Sequence, residues 1–246
     1  MKVSIITVSY NSVTTIKDTI ESVITQDYQN IEYIVVDGNS NDGTNEIIKE
    51  YKDKISCYIS ESDKGIYDAM NKGINSATGD LIGILNSDDL YVNNRVISNI
   101  VDHIGDCDGI YADLVYVDQF NLNKIKRTWR SGKYSEGAFK WGWMPPHPTF
   151  FVRKECYNKY GNYNTIMKSA ADYEFMLRVI HKHKISISYL SEIIIKMRVG
   201  GISNNSLKNR IKANRDDKMA WGINDLRPSM FTFLFKPLRK LLQFRI

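Results

Sequence analysis

The first hundred residues alternate short apolar runs with amphipathic stretches, and that alternation limits the chain to one class of fold. Residues 3–8, 34–37, 57–59 and 81–85 read as buried strands. Between them, residues 14–24 carry Ile16, Ile20, Val23 and Ile24 at helical spacing. Residues 44–51, 67–77 and 96–104 read as further helices, the second of them stopped at Gly79-Asp80. Strands alternating with helices predict an α/β fold, a mostly parallel Rossmann-like sheet with helices on both faces. Beyond Gly109 the pattern turns irregular. Residues 111–117 and 124–129 read as antiparallel strands, 149–152 as a strand returning to the sheet, and 185–190 as another. Residues 170–181 and 205–220 read as helices, the second polar and charged, and no internal repeat is visible. The division expected is a domain over 1–220, with a ligand-binding half (1–105) and an acceptor-side half (106–220), followed by a basic tail over 221–246.

An apolar content of 43% suffices for a sizeable core. The three cysteines (Cys57, Cys107 and Cys156) form no CxxC pair, so neither a disulfide framework nor a zinc site is expected. A reducing cytosol suits them best. The opening residues enter a strand without a signal-peptide cleavage region, and no apolar run reaches the roughly 20 residues of a membrane span. Net charge is +5 but uneven: Lys208 to Arg245 hold ten Lys/Arg against three Asp/Glu, leaving about −2 for the rest. A basic tail on a near-neutral body points to an anionic surface, membrane or nucleic acid.

Ligands of open α/β sheets bind beyond the carboxyl ends of the strands. Three polar segments fall there: Ser9-Tyr10-Asn11, the turn from Asp37 to Thr44, and Asn86-Ser87-Asp88-Asp89. A fourth, Asp63 to Gly73, opens the helix between the last two strands. Each alone reads equally well as a turn or helix cap. Together on one edge they suggest a metal–nucleotide site, because carboxylates at that point can hold a divalent cation against phosphates. No G-x-G-x-x-G follows the first strand, which excludes the usual dinucleotide oxidoreductase.

These segments resemble those of the family 2 glycosyltransferases, inverting nucleotide-sugar enzymes of the GT-A fold, and among them the bacterial members that build O-antigen, capsule or colanic-acid-like polysaccharides. Residues 4–11, 35–44, 60–73 and 86–89 carry the resemblance. Weaker echoes lie at 146–151, 171–178 and 200–203. The resemblance implies that Tyr10 lies against the nucleotide base, with Asn11 beside it, and that Asp37 accepts from uracil N3–H; relatives often carry a second acid where this chain has Gly38. Lys64 then pairs with the diphosphate or holds Asp37 or Asp68, although a solvated loop lysine is an equal reading. Asn86-Ser87-Asp88 matches the family's Asp-x-Asp signature with Asn first. Asp88, helped by Asp89, would bind Mg²⁺ or Mn²⁺ across the phosphates.

Asp172 is the implied catalytic base. A competing reading makes Ser169 an N-cap with Asp172 at N3 of a capping box. His147 would touch the diphosphate or acceptor, or merely stiffen its Pro-rich loop. Trp143 or Trp141 would offer an apolar platform to the acceptor sugar, or plug the core. Gly200-Gly201-Ile202-Ser203 would close over the donor.

In the tail, Leu238, Leu241 and Leu242 make an apolar stripe with Arg239 and Lys240 off it. This reads as an interfacial membrane segment or as a helix docked on the body. The expected whole is an enzyme moving a sugar from a UDP-sugar to an undecaprenyl-diphosphate-linked saccharide. It would work at the inner face of the inner membrane, without nucleic acid. The rivals are a sugar nucleotidyltransferase, which would need a Gly-rich phosphate loop where Tyr10-Asn11-Ser12 stands, and a non-catalytic nucleotide-sugar-binding protein, which would not need Asp172.

Overall fold

The computed structural model describes residues 1–200 and 207–243. Strands β1 (Val3–Ser9), β2 (Ile31–Asp37), β3 (Cys57–Ser60) and β4 (Leu81–Asn86) are parallel in the order β3-β2-β1-β4. Ser9 pairs with Asp37, Asp37 with Ser60 and Val8 with Asn86, so the four strands finish level on one edge. Strands covered on both faces need no polar alternation, which is why β1 is buried throughout. Ile6, Val8 and Ile34 face helix α3 (Ile66–Ser76); Val3, Ile5 and Val35 face α1 (Ile16–Ile24), α2 (Thr44–Glu50) and α4 (Val96–Ile104).

The sheet continues through β8 (Phe151–Arg153), β6 (Gly109–Val117), β9 (Ile187–Arg198) and β5 (Asp89–Tyr91), with β7 (Ile125–Trp129) antiparallel to β6. Strand β8 is antiparallel to both β4 and β6, which leaves β6 running in the direction of β4 and ending at the same edge. Phe151 is fully buried where a Cβ on Gly83 would lie 2.3 Å from its ring, so β4 needs glycine there.

Several sequence boundaries shift for physical reasons. The strand expected from residue 149 starts at Phe151, because His147–Thr149 form a 3-10 turn in which Thr149 Oγ1 donates to Ala112 O and Pro146 O at 2.9 Å. The strand expected over 185–190 runs on to Arg198: a bulge between Tyr189 and Ile193 absorbs the exposed Ser191 and Glu192 that interrupt the apolar pattern. The helix expected over 170–181 is α6 (Ala171–Met176) followed by a π-helical segment, Leu177–Lys182. Helix α5 (Lys154–Tyr160) follows β8 directly, while α7 (Leu207–Ile223) and α8 (Thr232–Leu242) close the described chain. Among the described residues no helix is long and apolar enough to cross a membrane.

A buried carboxylate fastens the opposite edge of the sheet. Glu32 accepts from Lys2 Nζ and Ser4 Oγ at 2.6 Å, and from Thr78 N at 2.7 Å and Oγ1 at 2.5 Å. Burial alone would raise its pKa, but these donors outweigh it and bring the carboxyl from 4.5 to about 2. The stability this confers is complete above the ordinary value and is lost as pH falls towards about 2. Glu32→Gln should therefore lower the melting temperature at neutral pH and flatten its decline between pH 4.5 and about 2. Thermal denaturation across that range checks this, and parallel curves for the two proteins would refute it.

Candidate active site

The loops at the carboxyl edge are stitched into one rim. Asn11, held at φ 49°, donates its backbone N–H to Ser40 Oγ at 2.8 Å, and its Oδ1 accepts from Asn41 N at 3.1 Å. Ser12 N donates to Thr44 Oγ1 at 2.8 Å, and the hydroxyls of Ser12 and Ser87 meet at 2.7 Å. The loops after β1, β2 and β4 thus share a single framework. Tyr10 stands out of it with 65% of its surface exposed. A free aromatic face on an otherwise polar rim suits stacking on a planar base.

Asp37 does not stand out in this way. It is fully buried, with Oδ1 accepting from Ser9 Oγ at 2.9 Å and Ser40 Oγ at 2.6 Å, and Oδ2 from Ser40 N at 2.8 Å. Its carboxylate pins the β2 loop, which corrects the expectation that it faces a base directly. The acid beside Tyr10 is the half-buried Asp63, whose Oδ1 accepts from Gly65 N at 2.8 Å. A Cβ on Gly38 would come within 2.4 Å of Asp63 Oδ2 and 3.3 Å of the Tyr10 ring. Asp63 therefore occupies the space that a larger residue at 38 would take. The clue in the sequence was Gly38 itself, whose missing side chain makes room for a carboxylate from the next loop. Gly38→Ala should displace Asp63 and weaken nucleotide binding by about tenfold while changing the melting temperature little, because Asp63 sits on a surface loop. Calorimetric titration with UDP checks this, and unchanged affinity would argue against a role for Asp63.

Asp68 accepts from Lys64 N at 3.0 Å and lies 3.8 Å from Lys72 Nζ, which pairs with Glu61 at 2.9 Å. Lys64 meets Asp68 through its backbone, and its side chain is exposed on the rim.

At the end of β4, Asn86 Nδ2 donates to Asp89 Oδ2 at 3.1 Å. Asn86 Oδ1 and Asp89 Oδ1 are buried and unpartnered. Asp89 starts β5 beneath the rim with no exposed surface, and burial together with Asp88 pushes its carboxyl well above the usual range. This corrects the expectation that Asp89 shares a metal with Asp88. Burial also raises Asp88, against the pull of its own backbone N–H and of Arg198. Arg198 is nearly buried at the end of β9; its Nη1 donates to Asp88 O at 2.9 Å and its Nη2 pairs with Asp18. Sequence reasoning missed Arg198, which stands 110 residues from the turn it holds.

The unpartnered Asn86 Oδ1, next to the partly exposed Asp88, is the kind of hard oxygen that fits a divalent cation such as Mg²⁺ or Mn²⁺. Among the described residues no cluster of three His, Cys, Asp or Glu forms, so a cation at Asn86 and Asp88 would draw further ligands from a bound diphosphate and water.

In the first turn of α3, the hydroxyl of Tyr67 donates to Asp172 Oδ1 at 2.9 Å. Ser169 does not cap α6: its hydroxyl bonds Asp216 on α7, and the N-cap position falls on Ala170 without a side-chain bond. Behind Asp172, the Tyr67 and Tyr163 rings lie 5.7 Å apart, and Tyr163 OH lies 3.0 Å from His147 Nε2. Burial lowers the His147 pKa and Asp172 opposes it. Asp172, Tyr67, Tyr163 and His147 therefore form one wall. Trp143 is not part of it. It is buried, its Nε1 donates to Ser131 O at 2.8 Å, and its ring packs on Tyr111, Tyr134 and Phe139. It is a core plug rather than a sugar platform. Of the segment 200–203, residues 201–203 lie outside the described residues.

Residues 4–166 match the family described as "Glycosyl transferase family 2". The chain belongs to that family. An uncharacterised glycosyltransferase of Mycobacterium tuberculosis (strain CDC 1551 / Oshkosh) is 33% identical over 178 residues, 72% of this chain and 68% of the relative. A PGL/p-HBAD biosynthesis glycosyltransferase of Mycobacterium bovis (strain BCG / Pasteur 1173P2) is 25% identical over 205 residues, 82% of this chain and 78% of that protein. Among solved structures, S. aureus TarS 1-349 in complex with UDP-GlcNAc superposes with a TM-score of 0.65 at 19% identity, covering 91% of this chain and 70% of that one. The mannosyltransferase PcManGT of Pyrobaculum calidifontis, in complex with GDP-Man and Mn²⁺, gives 0.69 at 18% identity, covering 98% and 69%. At that identity the likeness establishes the GT-A fold. The chain is a glycosyltransferase, and family membership removes the nucleotidyltransferase reading.

Proposed function

We propose that this glycosyltransferase moves a sugar, with inversion, from a UDP-sugar to a lipid-linked saccharide such as one on undecaprenyl diphosphate, in the assembly of a bacterial surface polysaccharide. The observation that carries the reading is the Tyr67–Asp172 hydrogen bond, which holds a partly exposed carboxylate at the start of α6 against the first turn of α3, the helix that the rim segment 63–65 leads into. Asp172 takes the proton of the acceptor hydroxyl as its oxygen bonds to the sugar C1. The C1–phosphate bond breaks on the opposite face, and the nucleoside diphosphate leaves.

Tyr10 stacks on the base, and Asp63 takes the role of accepting from the uracil N3–H. Asp37 and Asn11 act beneath, holding the loops that present them. Lys64, on the rim, faces the diphosphate. A divalent cation held by Asp88 and Asn86 would neutralise charge growing on the leaving group. His147 lines the acceptor side through Tyr163. A lipid-linked acceptor would bring the enzyme to the inner face of the inner membrane as a peripheral protein.

Support comes from the names of family relatives, from neighbours solved with nucleotide sugars, and from the placement of Asp172. The test is release of nucleoside diphosphate from a panel of nucleotide sugars, with Mn²⁺ or Mg²⁺, with and without a lipid-diphosphate GlcNAc acceptor. Acceptor-dependent release from one UDP-sugar is the expected result. Release only from a GDP-sugar would overturn the donor assignment, and transfer only to a non-lipid acceptor would overturn the acceptor assignment.

A further inference from the structure

Helix α8 has two faces, and among the described residues only one of them is packed against the body. On the inner face Thr232 Oγ1 donates to Lys140 O at 2.8 Å, Lys236 Nζ pairs with Asp217 at 2.7 Å and sits 3.6 Å over the Tyr173 ring, and Arg239 Nε donates to Trp141 O at 3.1 Å. The helix backbone passes so close that a Cβ on Gly142, held at φ 72°, would meet Lys236 N at 2.4 Å. The tail is thus docked on the body. On the outer face Leu234 and Leu238 stand one turn apart and exposed, and the exposed Met230 and Phe231, in the turn that precedes the helix, continue the apolar strip. Trp141, 52% exposed, extends the stripe by stacking on Phe231 at 5.8 Å. This is not the stripe expected from the sequence; the side chains of Leu241 and Leu242 lie outside those described.

A contiguous apolar stripe on an outward helix face is unusual for a chain that stays in water. Its surroundings identify the partner. Arg130, Lys236 and Arg239 line a cavity of about 250 Å³ beside α8 with Trp129, Trp143 and Met144; Lys236 is held by Asp217, while the guanidinium groups of Arg239 and of Arg130, 3.9 Å from Asp113, belong to exposed side chains. The segment from Lys208 to Arg245 is strongly basic. A second copy of the chain would bring like charge to the same face, whereas an anionic bilayer offers both hydrocarbon for the stripe and phosphate for the cations.

We propose that the outer face of α8, with Trp141, is a bilayer-contact surface selective for anionic phospholipid. The cavity lined by Arg130 and Arg239 receives a lipid phosphate at its border. The tail needs no release from the body to make this contact. The proposal deepens the lipid-acceptor reading, but its test does not use activity.

The test is co-sedimentation of the full chain with vesicles of phosphatidylcholine alone or with about 30% phosphatidylglycerol. Binding is expected to the anionic vesicles only, to fall with added salt, and to drop about tenfold in Leu234→Glu and Leu238→Glu, whose side chains already face solvent and whose melting temperatures should hold. Inorganic phosphate at millimolar concentration should not release the protein; release would make a free anion the ligand and overturn the bilayer assignment. Equal binding to neutral vesicles, or binding unaffected by both variants, would also overturn it. So would a concentration-dependent dimer abolished by Leu234→Glu in the absence of vesicle binding, which would make a second copy the occupant. Vesicle binding without transfer to a lipid acceptor would sink the acceptor reading alone; transfer to that acceptor without vesicle binding would sink this surface alone.

Discussion

Asp172→Asn is expected to cut the transfer rate by about 10²- to 10⁴-fold while leaving donor affinity and melting temperature close to those of the native chain. The substitution keeps the shape of the side chain and an oxygen able to accept from Tyr67, but removes the charge that takes the acceptor proton. Among the described residues no other hydrogen bond leans on that carboxylate: α6 has no side-chain cap, and Ser169 is engaged with Asp216. A large loss of kcat with intact UDP-sugar binding identifies a base. A lowered melting temperature of similar consequence would instead mark a structural acid.

Tyr67→Phe sharpens the result. The ring remains packed near Tyr163, but the donor 2.9 Å from Asp172 is gone. Burial, and next the charge of Asp172, raise the Tyr67 pKa beyond its ordinary value, so the hydroxyl is a permanent donor in any assay. We expect a fall of about tenfold in kcat with little change in the KM for donor, the pattern of a base that has lost its orientation. His147, joined to this wall through Tyr163, is the alternative acceptor of a proton, and burial disfavours its charged form. Full activity in Asp172→Asn with loss in His147→Ala would move the base to His147.

The parallel half of the fold was legible because its signals are local. Residues 81–85 form an unbroken apolar run, and the turn that follows ends it sharply. What the sequence hid was long-range. Strand β5 has three residues and exists because β9 pairs with it at Asp89, Leu90 and Tyr91. Strand β9 hides its length behind Ser191 and Glu192, which a bulge disposes of only once β6 is alongside. The site followed the same rule. Tyr10 was readable as an aromatic at a strand end, but the inward turn of Asp37 depends on hydroxyls from the end of β1, Ser9, and from its own loop, Ser40. Trp143 shows the limit of composition: an aromatic in a Pro-rich loop carries no mark of whether it faces solvent or Phe139. Arg198 and Tyr67 were invisible as site residues because their partners lie 110 and 105 positions away.

Asp88→Ala is expected to abolish the gain in UDP affinity that Mn²⁺ confers, a change of about two orders of magnitude, while Asp89→Asn leaves most of it in place. The contrast separates two neighbouring acids that look alike in sequence. Asp88 is partly exposed on the rim, beside the unpartnered Asn86 Oδ1. Asp89 is enclosed, and burial with the nearby Asp88 favours its protonated form, which an asparagine closely imitates. Its role is to accept from Asn86 Nδ2 and so aim Asn86 Oδ1. Because burial raises the Asp88 carboxyl, cation-dependent binding should weaken as pH falls, with a proton released on binding at the lower pH. Titration of UDP with and without Mn²⁺ over a series of falling pH, followed by calorimetry in two buffers of different ionisation enthalpy, reads both effects without any turnover. Loss of the Mn²⁺ gain in Asp89→Asn but not in Asp88→Ala would reverse the assignment. It would also mean that the turn after β4 opens further on binding, since the Asp89 carboxylate lies wholly enclosed, whereas Asp88 already has exposed surface and only Asn86 Oδ1 has to be uncovered.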